Sequence, residues 1–261
     1  MGKITAFMIV RNEELLLPTC IESLVGVVNQ VAVLDTGSVD GTIDFLKETA
    51  ASGRFEDFRW DEIEFRDFGS AQQAALDRVD TEWALWMGAD ETVSPELRAE
   101  IAQLREGGAL EEKDSWELHR VNRVLGRVMK GRNLSGQYAL RLFRSAGGKV
   151  TRSLVHEGIE MDPGSTLGRL EEPLYHDTMT SWRLYLKKVD LYTTLDVRAG
   201  DRSFNPLHML FTGASAFWRQ YFARTGIRDG WPGFVWAATS AWSATLRDWK
   251  LLKRAWRRRW G

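Results

Sequence analysis

Three apolar runs near the start of the chain each end in polar or acidic side chains, and segments with helical spacing separate them. The runs are ITAFMIV (4–10), QVAVLD (30–35) and EWALWM (82–87). Strands that alternate with helices in this way predict a mostly parallel sheet with helices on both faces. The predicted fold class is therefore α/β, in which ligands bind beyond the carboxyl ends of the strands.

Helix signals lie between and after these runs. Residues 42–51 and 69–79 have helical spacing, and a short strand is predicted near residues 58–60. Ser94 is a favourable N-cap, and Pro95 follows it at the first helical position, so a further helix is predicted to begin there. The apolar stripe of that helix consists of Leu97, Ile101 and Leu104.

A polar cluster follows each of the three strands. The clusters are Asn12 with Glu13, residues 35–38, and Asp90 with Glu91. Any one acid at a strand end is more often a turn residue or a helix cap than a functional group. Three such clusters on strands that are expected to be neighbours favour a shared pocket.

The pattern changes after the first hundred residues. Residues 114–160 contain short strand-like segments joined by Gly- and Asn-containing turns, which predict an antiparallel extension of the sheet. From Ser181 onward the chain has helical spacing again. We therefore expect one domain over residues 1–180, with halves 1–112 and 113–180, followed by a helical region over residues 181–261.

Composition narrows the class of protein. The chain is 44% hydrophobic and 27% charged, which is typical of a globular protein and argues against extended disorder. Cys20 is its only cysteine, so no intrachain disulfide can form, which fits a reducing compartment. The first ten residues contain one lysine and no cleavage pattern follows them, so we interpret them as a strand and not as a signal peptide.

The C-terminal segment differs in charge from the rest of the chain. Residues 247–261 hold seven Lys or Arg and one acid, a net +6, so the other residues carry −1 − 6 = −7. Four tryptophans share one helical face there: Trp242, Trp249, Trp256 and Trp260.

A basic helix with a tryptophan face is typical of binding in the plane of a membrane surface. The longest uncharged stretch, residues 231–246, falls short of the roughly 20 residues of a spanning helix. The competing interpretation is that the tryptophan face packs on the sheet domain or on a second subunit, so a homodimer is left open. Nucleic acid is not expected as a partner, because the rest of the chain is acidic.

The ordered motifs resemble the inverting glycosyltransferases of family 2, which have the GT-A fold, a Rossmann-like nucleotide-diphospho-sugar transferase fold. Within that family the motifs most resemble those of bacterial lipopolysaccharide core glycosyltransferases, and the resemblance covers nearly the whole chain. It rests on these segments: MIVRNEE, VAVLDTGSVDGT, DFGSAQQAALD, WALWMGADETVSPEL, LRLFR, LVHE, LYHDTMTSW, KKVDLYT and RDGWPGFVWA. It implies a nucleotide-sugar half over residues 1–112, an acceptor-side extension over residues 113–180 and a membrane-associating C-terminal region. It also implies a cytoplasmic protein, peripheral on the inner face of the cytoplasmic membrane.

The resemblance assigns the nucleotide to the first two strand ends. Asn12, Glu13 and Asp35 would bind the base and ribose, since carboxylates accept hydrogen bonds from ribose hydroxyls. Gly37 and Ser38 would let the backbone approach the donor. The alternative for this loop is a tight turn before a helix.

The resemblance also implies a divalent metal, Mg²⁺ or Mn²⁺, which would stabilise the departing diphosphate. Asp90 matches the metal-binding acid of the family's Asp-x-Asp motif, but Gly88 stands where the first acid is usual. Glu91 either compensates for that lost donor contact or stabilises the N-terminus of the next helix. Gln72 departs from the family as well, because an arginine is common there. His156 is a second candidate metal ligand or an orienting residue.

Proton removal from the acceptor requires a base, for which Glu157 in LVHE is the candidate. Arg141 and Arg144 in LRLFR could face phosphates, and one of the two is expected to be a solvated sheet residue. His176 is either a further metal ligand or a hydrogen-bonded core histidine.

The expected function is therefore inverting, metal-assisted transfer of a sugar from a nucleotide-diphosphate sugar to a glycolipid such as a lipopolysaccharide core. The alternatives are a catalytically weakened, membrane-bound sugar-nucleotide binding protein of the same fold, and a glycosyltransferase with a protein or wall-polymer acceptor.

Overall fold

The structure is a computed structural model, and it describes residues 2–132, 135–151, 158–199 and 206–260. Eleven strands and seven α-helices occur in these ranges. The strands are β1 (Ile4–Val10), β2 (Gln30–Asp35), β3 (Asp57–Glu62), β4 (Trp83–Trp86), β5 (Glu91–Val93), β6 (Ser115–Val124), β7 (Arg127–Val128), β8 (Gln137–Arg144), β9 (Gly148–Val150), β10 (Ile159–Met161) and β11 (Leu167–Met179). The helices are α1 (Leu17–Leu24), α2 (Thr42–Ala51), α3 (Phe68–Leu76), α4 (Pro95–Glu106), α5 (Trp182–Ala199), α6 (Pro206–Trp218) and α7 (Gly230–Trp260).

The main sheet is mixed, with the strand order β3-β2-β1-β4-β8-β6-β11-β5. The first four strands in this order are parallel, and β8 runs antiparallel to β4. Val10 and Asp35 are partners in the register of β1 and β2, so these strands end together. The predicted parallel half, the antiparallel extension and the α/β class are confirmed.

Helices cover both faces of the parallel strands. One apolar cluster contains residues of α1, α2 and α4 together with Ala6, Met8 and Val10 of β1. The other contains α3 residues with Phe7, because neighbouring residues of a strand point to opposite faces. The sheet therefore has a core on each side, and its carboxyl edge is left to the loops.

The N-terminus of α4 follows the sequence prediction. The Ser94 hydroxyl accepts a hydrogen bond from the Leu97 N–H at 2.9 Å, and Pro95 begins the helix. Leu97 and Ile101 are buried, and Leu104 packs against the same cluster. The cap and the apolar stripe are confirmed.

The strands β5 and β11 were not predicted from the sequence. β5 has three residues and lies between β4 and α4, where the sequence suggested only a loop. It pairs antiparallel with β11, which carries many charged residues and lacks a clean alternation. This pairing brings the chain after β4 back to the edge of the sheet.

The chain divides into two compact units. The first comprises residues 1–120 and 138–176, and the second comprises residues 121–137 and 177–261. The sequence placed residues 121–137 in the extension, whereas they group with the helical region in the structure. In the second unit the Asp229 carboxylate accepts hydrogen bonds from the backbone N–H groups of Lys130 and Gly131, which ties the 121–137 segment to the helices.

Candidate functional site

The turn after β4 is closed by Glu91. The Glu91 N–H donates to the Gly88 carbonyl at 3.0 Å, and the Gly88 N–H donates to Glu91 Oε2 at 2.8 Å. Ala89 and Asp90 lie between these two residues, so Asp90 occupies the tip of a turn that is fixed on both sides. Its side chain is 29% exposed and lies at the carboxyl edge of β4.

The Glu91 carboxylate is 1% exposed and binds two arginines. Its Oε1 accepts a hydrogen bond from Arg120 Nε at 2.6 Å and another from Arg141 Nη2 at 2.8 Å. This placement differs from both sequence interpretations of Glu91, because the side chain is buried and both of its oxygens are occupied. Glu91 holds the Gly88 N–H and the two arginines in place, and it neither caps α4 nor faces a donor.

Arg141 also contacts Trp86 of β4. Its guanidinium lies 4.5 Å from the ring centre of Trp86, and the Trp86 indole N–H donates to Gln72 Oε1 at 3.1 Å. Burial lowers the pKa of Arg141, and the charge of Glu91 opposes that shift. Gln72 is therefore bonded to Trp86, which in turn contacts Arg141. The contact between a guanidinium and an indole ring is favourable.

Asp90 faces a histidine from the unpredicted strand β11. His176 Nε2 lies 3.3 Å from Asp90 Oδ2, and the His176 side chain is 13% exposed. The pairing of His176 with Glu91 in the β5–β11 register explains this proximity. No group of three His, Cys, Asp or Glu side chains that could hold a metal occurs among the described residues, in which Asp90 and His176 form a pair.

The loops after β1 and β2 are bound to one another. Asp35 is fully buried, and its Oδ1 accepts hydrogen bonds from the N–H groups of Gly37 and Ser38, both at 2.8 Å. The Ser38 hydroxyl donates to Asp35 Oδ2 and accepts from the Asn12 N–H at 2.8 Å, while Asn12 Oδ1 accepts from the Val39 N–H at 2.8 Å. Gly37 has φ +102° and Asn12 has φ +56°, conformations that favour Gly and Asn. The Asp35 carboxylate therefore holds its own loop, as the tight-turn alternative expects.

Glu13 is bonded to the start of α2, and Cys20 of α1 is bonded to the turn after β4. The Glu13 N–H donates to Thr42 Oγ1 at 2.9 Å, and the Cys20 thiol donates to the Gly88 carbonyl at 3.4 Å. Burial raises the pKa of Cys20, and the charges of Glu91, Asp90 and Glu13 raise it further. Glu13 and Asp90 therefore lie near one buried thiol, whose position here no local sequence pattern predicts.

A protein-family model described as Glycosyl transferase family 2 matches residues 5–191. The chain belongs to this family. The lipopolysaccharide core biosynthesis glycosyltransferase LpsC of Rhizobium meliloti (strain 1021) is 30% identical over 259 residues, which is 96% of this chain and 92% of LpsC. The uncharacterized glycosyltransferase RT0209 of Rickettsia typhi is 23% identical over 96% of this chain and 87% of its own length. The predicted family and enzyme class, glycosyltransferase, are confirmed.

Solved structures similar to this glycosyltransferase include S. aureus TarS. Its 1–349 fragment has a TM-score of 0.47 at 12% identity, with 98% of this chain and 91% of that chain covered. The same fragment in complex with UDP-GlcNAc has a TM-score of 0.42. This chain covers 44% of the longer TarS chain.

The departure of this glycosyltransferase at Gly88 has a steric reason. A Cβ at position 88 would lie 2.8 Å from Asp90 Oδ1 and 3.4 Å from the Cγ and Cδ atoms of Glu91. Asp90 and Glu91 thus fill the space next to Gly88. An acid at this position would have to displace Asp90.

The remaining candidate residues lie apart from this cluster or outside the described residues. His156 and Glu157 lie outside the described residues, so their roles stay predictions. Arg144 is the more solvated of the two LRLFR arginines, and it pairs with Glu82 at 2.7 Å and Glu111 at 2.6 Å. Arg120 was not predicted as a site residue, because nothing in its segment SWELHRV (115–121) distinguishes it from an ordinary arginine of a sheet.

Proposed function

We propose that this glycosyltransferase transfers a sugar, with inversion, from a nucleotide-diphosphate sugar to a glycolipid acceptor of the lipopolysaccharide-core type. The observation that carries the proposal is the partly exposed Asp90 carboxylate, held against His176 at the carboxyl edge of the sheet. Asp35 and Asn12 order the loops at the ends of the neighbouring parallel strands. Family membership and the similarity to LpsC support the reaction class and the acceptor class.

Asp90 and His176 would hold a divalent metal, with His156 as the third candidate from the sequence. A carboxylate and an imidazole fit this task, because Mg²⁺ and Mn²⁺ at nucleotide sites take few protein ligands and complete their coordination with phosphate oxygens and water. The bound metal would stabilise charge on the departing diphosphate. Asp90 is already oriented for this role by its turn, which is closed by the two hydrogen bonds between Gly88 and Glu91.

Glu157 is the proposed base that removes the proton from the acceptor hydroxyl. A general base contributes typically about 10²- to 10⁴-fold to rate. Asp90→Asn and Glu157→Gln should therefore each reduce transfer by at least about 100-fold and leave the fold intact. Asp61→Asn is a matched control, since Asp61 is exposed and pairs with Arg78 at 3.1 Å. Transfer from a panel of nucleotide sugars is measured with Mn²⁺ present, and full activity of either variant would remove that residue's role.

The rival function is that of a catalytically weakened binding protein, which Gly88 and Gln72 favour. Both functions require binding of a nucleotide sugar, but only the enzyme turns it over. Isothermal calorimetry with the donor panel, with and without Mn²⁺, followed by product analysis, separates them. Binding without product for every acceptor tested would favour the rival.

We also propose that α7 binds the membrane that carries the acceptor, on its cytoplasmic side. Three predicted face residues are exposed: Trp242 by 54%, Trp249 by 41% and Trp256 by 66%. Trp231, 68% exposed, extends the face, because Trp242 lies 11 positions further along the helix and three helical turns take about 11 residues. No helix among the described residues is long and apolar enough to span a membrane.

Removing the exposed rings tests this proposal without removing the helix. Deletion of α7 would confound the result, since Ala237, Asp248 and Leu251 of α7 are buried. Replacement of Trp242, Trp249 and Trp256 by alanine should abolish co-sedimentation with vesicles that contain anionic lipid. Phe68→Ala is the control, an exposed aromatic of the first unit. Unchanged vesicle binding of the triple variant would favour a protein or wall-polymer acceptor.

A further inference from the structure

Two guanidinium groups share one carboxylate oxygen beside Asp90. Arg120 lies on β6, Arg141 on the neighbouring strand β8, and both donate to Glu91 Oε1. One carboxylate can neutralise only one of these two charges. Asp90 is the second acid of this cluster, so the two arginines and two acids balance until a cation binds Asp90. A cation bound there would leave a net positive charge, which favours a further anionic partner.

Donor atoms of both arginines lack a hydrogen-bond partner among the described residues, and Arg120 is the more exposed of the two. Among the described residues, Arg120 forms only the Nε bond to Glu91, so both of its Nη groups lack a hydrogen-bond partner there. The Arg120 side chain is 27% exposed. Arg141 Nε is buried and has no partner within the described part of the chain. Unsatisfied buried donors in a native site commonly mark the place of a water, an ion or a ligand.

Glu91 fixes the directions of these donors. It is 1% exposed, and its second oxygen accepts the Gly88 N–H, so the carboxylate itself is held by the turn after β4. Trp86 covers one face of the Arg141 guanidinium. The planar fork of an arginine is therefore presented in a fixed orientation, which suits the paired oxygens of a phosphate.

We propose that Arg120, together with Arg141, binds the diphosphate group of the donor and that Glu91 is the positioning residue for both. This inference rests on the proposed nucleotide-diphosphate donor. The charges of the cluster support a joint role with Asp90: two arginines and two acids sum to +2 − 2 = 0, and a divalent cation at Asp90 gives +2. A diphosphate carries the complementary charge. In this arrangement the Nη groups of Arg120 supply hydrogen bonds to the phosphate oxygens from β6.

Calorimetric titration with UDP, GDP and inorganic pyrophosphate, with Mn²⁺ present, tests the proposal. Arg120→Met keeps the length of the side chain and removes its charge, and Arg120→Lys restores the charge without the fork. Arg54→Met is the matched control, a surface arginine paired with Glu22 at 2.9 Å. Thermal denaturation of each variant checks that it is folded.

Wild type should bind at least one of the probes, and Arg120→Met should bind it about tenfold more weakly or worse, the loss typical of a hydrogen bond to a charged group. Arg120→Lys should recover part of the affinity, the dependence of binding on salt should be shallower in Arg120→Met, and Arg54→Met should match wild type. Equal affinities of Arg120→Met and wild type would overturn this inference alone. Failure of wild type to bind any probe would overturn it together with the proposed donor.

Discussion

Replacement of Glu91 by glutamine is expected to destabilise the protein strongly, although the change is nearly isosteric. Glu91→Gln removes the charge that holds two arginines, both of which make their bonds to Oε1. Breaking a buried ion pair by removing one partner costs about 3–5 kcal/mol, because the other charge stays buried. Glu91 is 1% exposed and Arg141 is 11% exposed, so solvent cannot replace the lost partner of Arg141, whereas Arg120, 27% exposed, is partly solvated.

The expected loss for Glu91→Gln is at the lower end, about 3 kcal/mol, since the amide oxygen can still accept one hydrogen bond. For a chain of this size 1 kcal/mol lowers the midpoint of thermal unfolding by about 2–4 °C, so the expected fall is about 6–12 °C. Glu91→Ala should cost more, because it also leaves the Gly88 N–H without its acceptor. Thermal unfolding followed by circular dichroism, with urea denaturation as the second measurement, gives both numbers.

Glu117→Gln is the matched control for this prediction. Glu117 also accepts two hydrogen bonds from an arginine, but its partner Arg169 is 53% exposed. Exposed ion pairs contribute about 0–1 kcal/mol, so the control should lose little. Arg120→Met in the Glu91→Gln background should be less harmful than the sum of the single changes, because it removes one of the stranded charges. Equal losses for Glu91→Gln and Glu117→Gln would refute the account of the buried cluster.

Three further predictions follow from the described residues. Gly88→Ala should displace the Asp90 carboxylate, because Asp90 Oδ1 lies 2.8 Å from the position of the added Cβ. Mn²⁺ binding measured by calorimetry should weaken by about tenfold or more, while under about 1 kcal/mol of stability is lost. Unchanged Mn²⁺ binding would contradict this prediction. Ser94→Ala should cost about 1 kcal/mol in urea denaturation, since the Leu97 N–H loses its cap, whereas Ser94→Thr should cost less. Burial raises the pKa of Tyr185 to about 12 from 10, so the stability that its neutral phenol contributes is complete below pH 10 and is lost as the pH rises toward 12, by up to about 3 kcal/mol. Tyr185→Phe should flatten the fall in thermal midpoint between pH 9 and pH 11.5.

Local signals determined which elements could be predicted from the sequence. The span of α2 and the cap of α4 depend on neighbouring residues, and both were predicted correctly. β5 depends on β11, which lies more than seventy residues further along the chain, so three residues of local sequence could not reveal it. Pairing between distant segments is a tertiary effect that often overrides local propensity.

The candidate site divides in the same way. The acids at the strand ends were found from their position after apolar runs, and the structure places Asp90 at the carboxyl edge as expected. The partners of Asp90 and Glu91 come from β6, β8 and β11, where an arginine or histidine in a strand has no distinctive local pattern. Arg120 and the burial of Glu91 could therefore be recognised only when the strand order was known.

The strand β5 also changes the meaning of the missing acid at position 88. The β5–β11 pairing directs the chain back so that Glu91 closes the turn onto the Gly88 N–H and Asp90 Oδ1 occupies the volume of a Gly88 side chain. An aspartate at position 88 would place a third carboxylate against Asp90 and Glu91, and like charges at about 4 Å repel by several kcal/mol at a protein surface. Glycine is thus the residue that this turn accommodates without a shift of the Asp90 carboxylate. The departure from the family pattern at position 88 is therefore a rearrangement of this turn, in which Asp90 stays at the end of β4 with its Oδ2 3.3 Å from His176 Nε2.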